Sequence, residues 1–136
     1  MAIYSAETLI RVRYADTDQM RFVYYAKYFE YFEQGRSDLL RGMGLPYSAI
    51  EERGIFLPVI EAHAAYKRSA RFDDLLNVKT MLEEVPQSRI NISYELSNDE
   101  SKELLVTGST VHSFVNARTG KPTRVPDFFL QALSNH

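Results

Sequence analysis

Two carboxylates stand close together in Tyr14-Ala15-Asp16-Thr17-Asp18-Gln19-Met20, just ahead of an aromatic-rich segment. That segment has helical spacing, which places the pair near a helix N-terminus, where free backbone N–H groups favour negative charge. Such N–H groups can stabilise the oxyanion that develops on an attacked carbonyl. A carboxylate beside them can take a proton as a general base or attack as a nucleophile. Asp16 and Asp18 can equally form a turn and a helix cap, with Arg13 as a charge partner. Spacing alone favours that structural role.

Much other chemistry is excluded. Zero Cys removes disulfides, thiolate catalysis and Cys-based metal sites. The chain lacks G-x-S-x-G, a P-loop and G-x-G-x-x-G. His63, His112 and His136 have no metal-ligand spacing, so neither a metal nor a redox cofactor is expected. A net charge of −2 lacks the basic excess of a general nucleic-acid binder. No segment approaches the roughly 18 apolar residues of a membrane span, and the first residues do not resemble a secretory signal. These features read as a soluble, cytoplasmic protein. At 136 residues and 45% hydrophobic, the chain fits a single domain over residues 1–136.

The elements that must position the two carboxylates follow from periodicity. Ile10, Val12 and Tyr14 alternate with Arg11 and Arg13, which predicts a strand. Ala15 to Arg21 reads as a loop. Tyr25, Tyr28, Phe29, Phe32, Gly35, Leu39, Leu40 and Met43 form one helical stripe, and Gly44 with Pro46 ends it. Gly35 on that stripe predicts a close approach of helix to sheet. Pro46 to Glu52 reads as a short helix. Strands follow at Pro58–Ser69, Leu76–Leu82, Ile90–Leu96 and Glu103–Asn116, and Gly108 marks either a bulge or a close backbone approach. Asp127 to Leu133 reads as a final short helix. One strand, one long helix and four consecutive strands argue an α+β fold, with an antiparallel sheet wrapped around the helix.

Tyr14-Ala15-Asp16-Thr17-Asp18, Val23-Tyr24, Tyr28, Phe32-Glu33 and Arg36 together resemble the signature of the 4-hydroxybenzoyl-CoA thioesterase family of hotdog-fold acyl-CoA thioesterases. Tyr66 with Ala70-Arg71-Phe72-Asp73-Asp74 and Leu76 resembles the family's second block. The likeness spans about residues 8 to 130 and implies hydrolysis of an acyl-CoA to a carboxylic acid and free CoA. It implies that Asp18 is the catalytic nucleophile or general base, that the backbone N–H of Tyr25 polarises the thioester carbonyl, and that Asp16 is structural. Ser88, Arg89, Lys121 and Arg124 lie near positions that contact CoA in the family, while Lys67, Arg68 and Arg71 form another basic cluster. The chain departs from the pattern at Arg21, where the family has Gly, and at Lys27, where it has Asn. Arg21 is expected to narrow the acyl pocket, pair with Asp18 or face solvent. It also keeps open a second class of function, a non-catalytic acyl-CoA or acyl-carrier binding or assembly protein. Alternation along the Pro58–Ser69 strand puts Glu61, His63, Ala65 and Lys67 on its outer face, opposite Ile60, Ala62, Ala64 and Tyr66. Resemblance to hotdog proteins implies a homodimer or a dimer-of-dimers tetramer joined along strand edges. A monomer would instead cover that edge with its own terminal helix.

Overall fold

The computed structural model describes residues 2–136. Its strands are β1 (Tyr4–Arg11), β2 (Ile55–Phe56), β3 (Val59–Tyr66), β4 (Leu75–Leu82), β5 (Arg89–Asn98), β6 (Leu104–Ser113) and β7 (Val115–Asn116). Its helices are α1 (Lys27–Gly42), α2 (Tyr47–Glu52) and α3 (Asp127–Ser134). Five strands form one antiparallel sheet in the order β1-β4-β5-β6-β3, and β2 pairs with β7 in a small second sheet. The α+β architecture expected from periodicity is the one observed.

Helix α1 is about 24 Å long at 1.5 Å per residue and lies against the sheet. It buries Tyr28, Tyr31, Phe32, Gly35, Arg36, Leu39 and Leu40. Two glycines permit this contact. A side chain at Gly35 would collide with Thr80, and one at Gly108 would collide with the Phe32 ring and approach the His63 carbonyl oxygen to 2.9 Å. The Phe32 ring stacks on Tyr94 at 4.4 Å. Gly108 therefore serves close approach, and no bulge occurs there, because β6 keeps register through it with both β3 and β5.

The end of α1 follows a Schellman pattern. Gly44 at φ +81° donates its N–H to Arg41 O, and Leu45 donates to Leu40 O at 2.9 Å. The helix starts at Lys27 rather than Tyr25, and its cap Ala26 offers no side-chain hydrogen bond. The first strand ends at Arg11, and Tyr14 enters a 3-10 turn with Ala15 and Asp16. The predicted Glu103–Asn116 strand divides at Phe114, because Val115 and Asn116 turn away to pair with β2.

The two edges of the main sheet differ. Along β1, inward residues become buried toward Ile10 while outward ones stay exposed. Along β3, every residue except Ala64 is exposed, on both faces. The terminal helix does not cover that edge. Instead α3 packs Phe129 against Phe114, with ring centres 5.4 Å apart.

Candidate active site

Residues 17–23 form a tight hairpin. Thr17 pairs with Val23, Asp18 N–H donates to Phe22 O at 2.8 Å, and Arg21 N–H donates to Asp18 O at 2.9 Å. A turn of this kind is followed by a residue in the left-handed region, a position that favours Gly. Arg21 occupies it at φ +66°. The family's Gly thus has a backbone reason, and Arg21 takes on the strain. Its side chain is exposed, and among the described residues no ion pair joins it to Asp18.

The hairpin orients Asp18. Met20 N–H and Phe22 N–H donate to Asp18 Oδ1 at 2.9 and 3.2 Å, while no protein donor among the described residues takes Oδ2. Asp18 is exposed and caps its own loop, not α1. The second motif block docks against this hairpin. Val23 N–H donates to Ala70 O, Phe72 N–H donates to Arg21 O, and Phe22 bridges to Arg71. The Arg71 guanidinium lies 5.1 Å from the centre of the Phe22 ring. The basic cluster is therefore partly engaged, and Arg68 pairs with Glu103 at 2.7 Å.

Asp16 has another environment. Its carboxylate is buried, and it accepts from Arg13 Nη2 at 2.9 Å, from Arg13 N–H at 3.2 Å and from the Tyr31 hydroxyl at 2.8 Å. Burial disfavours its charge, but the bonds from Arg13 and Tyr31 outweigh it and hold the carboxyl below the ordinary range. Burial, with Asp16 beside it, pushes the Tyr31 phenol up. The expected charge partner Arg13 is thus present, and Asp16 anchors the loop to α1. Tyr31 carried no signal in the sequence, since its role depends on an acceptor from another element.

Tyr25 is exposed and lies just ahead of α1. No acceptor among the described residues takes its N–H. Beyond it a groove of about 240 Å³ runs between α1 and β3, lined by Phe29, Glu33, Arg36, Val59, Ala62 and Thr110.

Ser88, Arg89, Lys121 and Arg124 lie elsewhere. Ser88 and Arg89 line a cavity of about 260 Å³ beside the β4–β5 connection. Ser88 O accepts from Phe114 N–H, Lys121 O accepts from Asn116 N–H, and Val125, next to Arg124, donates to Gln87 O at 2.5 Å. These contacts group the four residues at the Arg89–Ser113 end of the sheet. Asp18 follows from the opposite end, where Arg11 faces Leu75. The ten residues of β5 put those ends about 30 Å apart. One protomer does not bring the four residues to Asp18.

Comparison with known proteins identifies the family. Residues 12–133 match the family described as the thioesterase-like superfamily. The acyl-CoA thioesterase YbgC of Haemophilus influenzae is 31% identical over 119 residues, which are 86% of this chain and 85% of that protein. Among solved structures, the DHNA-CoA thioesterase of Staphylococcus aureus superposes with a TM-score of 0.88 at 34% identity, covering 96% of this chain and 89% of the other. The Thermus thermophilus protein TT1821 gives 0.87 at 35% identity, covering 96% and 98%. No helix among the described residues is long and apolar enough to cross a membrane. The resemblance drawn from the Asp16–Asp18 motif and the second block is borne out, and the chain belongs to the thioesterase-like superfamily, with the hotdog fold.

Proposed function

We propose that the protein hydrolyses an acyl-CoA thioester to a carboxylic acid and free CoA, with Asp18 as nucleophile or general base. The carrying observation is the Asp18 carboxylate, which has Oδ1 anchored by two backbone N–H groups and Oδ2 open. As a base, Oδ2 takes a proton from water while the water oxygen bonds to the thioester carbon. The carbonyl oxygen gains negative charge and accepts from Tyr25 N–H. The C–S bond then breaks, and the sulfur leaves with the proton from Asp18. As a nucleophile, Oδ2 bonds to the carbon directly, CoA thiolate departs, and water cleaves the resulting anhydride. The groove past Tyr25 offers room for the acyl group. The exposure of Arg21 and its place in the turn support hydrolysis over the non-catalytic alternative, because the residue leaves Asp18 unpaired.

Turnover of an acyl-CoA panel, followed by free-thiol release, tests the activity. Asp18→Asn is expected to lower turnover on the order of 10²–10⁴-fold, with CoA affinity little changed. A variant that keeps most of its rate overturns the assignment.

The site is completed by a second copy. Lys67 N–H donates to Leu105 O, so alternate residues Ala62, Ala64 and Tyr66 turn their backbone groups to the open edge of β3. Twofold antiparallel pairing of that edge would bring the Ser88, Arg89, Lys121 and Arg124 end of one copy beside the Asp18 of the other. CoA phosphates would then meet cations from the partner. Sedimentation equilibrium at micromolar concentration should report a dimer or a tetramer. A 15.7 kDa species that still hydrolyses acyl-CoA overturns the shared site.

A further inference from the structure

We infer that Tyr66 is a positioning residue for the Tyr25 donor and that it ties the open edge of β3 to the carbonyl-binding end of the site. The inference rests on the roles of Asp18 and Tyr25 proposed above. Tyr66 ends β3, and its hydroxyl donates to Tyr25 O at 3.3 Å across 41 residues of sequence. Among the described residues, no other side chain hydrogen-bonds to the backbone of Tyr24, Tyr25 or Ala26. The same ring leans on Tyr28 at 5.4 Å, and the Tyr28 hydroxyl accepts from Ala70 N–H at 3.0 Å. On the other flank, Tyr24 O accepts from Lys27 N–H at 2.8 Å. The peptide group before Tyr25 and the one after it are thus both tethered. That fixes both backbone dihedrals of Tyr25, and so the direction in which its N–H points.

Ala26 brings no side-chain cap to this segment. Without Tyr66 the Tyr25 carbonyl keeps only a long 3.4 Å bond from Tyr28 N–H, and a donor on a loosely held segment is poorly aligned with the oxygen it must meet. Alignment of this kind matters in the transition state more than in the bound ground state, so its loss falls on kcat rather than on KM. The backbone of Tyr66 also faces the open edge of β3, where the partner strand is proposed to pair. Strand pairing would therefore hold Tyr66 in place, and Tyr66 would hold Tyr25.

Three readouts on Tyr66→Phe test this, with Asp18→Asn run beside it. The Phe variant keeps the ring contact with Tyr28 and removes only the hydroxyl. It is expected to lower kcat roughly three- to tenfold, the worth of one neutral hydrogen bond, at unchanged KM and unchanged sedimentation. The Ala26 amide shares a peptide group with the Tyr25 carbonyl, so its nitrogen–proton resonance should move in labelled protein. A Tyr66→Phe enzyme with normal kcat, beside an inactive Asp18→Asn, overturns the inference and leaves the catalytic reading standing. A fall in kcat accompanied by dissociation overturns it too, because the role would then be assembly alone. If Asp18→Asn keeps its rate, the catalytic reading fails. The Ala26 resonance then decides the positioning role, and an unmoved resonance overturns it.

Discussion

Asp16 and Asp18 are two residues apart and belong to one motif, yet they occupy opposite kinds of surroundings. Asp16 is buried, and both its oxygens accept from protein donors on the loop and on α1. Asp18 stands in solvent, held through one oxygen by its own hairpin. The first arrangement suits an anchor, because a buried carboxylate left without donors is costly. The second suits chemistry, because an open oxygen can reach water or a carbonyl. A second buried set follows the Asp16 pattern. Arg36 donates to the Tyr47 and Tyr94 hydroxyls, Tyr94 reaches Thr110 at 2.7 Å, Thr110 reaches His112 Nε2 at 2.9 Å, and His112 Nδ1 reaches Leu57 O at 3.1 Å. Every group is satisfied if donors run from Arg36 to Leu57 O and His112 is neutral. Position within the fold, more than residue type, separates the structural polar groups from the reactive one.

The largest expected effect on stability comes from acid, which strikes the buried groups. Burial lowers the His112 pKa from 6.5 to about 4. The unfolded chain therefore binds a proton that the folded one refuses, and stability falls as pH drops from about 6.5 to about 4. The full step is about 3 kcal/mol at 1.36 kcal/mol per unit. Asp16 adds a second step in more acid solution. Its folded pKa lies below its unfolded value, so its contribution is present above the unfolded value of 3.8 and is lost as pH falls through the folded one. Denaturant unfolding across this range should show both steps. His112→Gln should remove the upper one and Asp16→Asn the lower one. A stability that stays flat between pH 6.5 and 4 would erase the distinction drawn between interior and loop.

Much of this was legible in the chain. Period-two and helical patterns located α1, β4, β5 and β6, since those elements bury one face against a common core. The D-x-D motif and the second block pointed to the hairpin and its support, because Ala70, Arg71 and Phe72 are what that hairpin docks on. Other features were not legible. β2 and β7 are two residues each, too short to show a period. Arg36 stood in the chain only as a residue of the family signature, and its burial depends on Tyr47 and Tyr94, which arrive from other elements to accept its N–H groups. The link from Tyr66 to Tyr25 joins residues 41 apart and exists only after folding. The separation of Ser88 and Arg89 from Asp18 depends on which end of the sheet each strand begins at, and no local pattern records that.

The smallest expected effect concerns Arg21, and it sharpens the account of the exposed loop. A non-glycine residue in the left-handed region carries a cost of roughly 1–2 kcal/mol, and Arg21 sits there at φ +66°. Arg21→Gly relieves that cost but adds conformational freedom to the unfolded chain, which offsets roughly 0.5–1 kcal/mol. The net expectation is a gain of about 0.5 kcal/mol by denaturant unfolding. Because the exposed side chain does not pair with Asp18, relief of strain should leave kcat near its original value. The profile over bulky and small acyl-CoAs should also stay unchanged, since the role of Arg21 lies in its backbone. Arg21→Val makes the opposite test, because a β-branched residue is a poor occupant of the left-handed region. It should lose stability and slow turnover together, as the N–H groups of Met20 and Phe22 drift from Asp18 Oδ1. If Arg21→Gly instead opens the enzyme to bulkier acyl groups, the side chain walls the pocket, and the turn is not the reason this position matters.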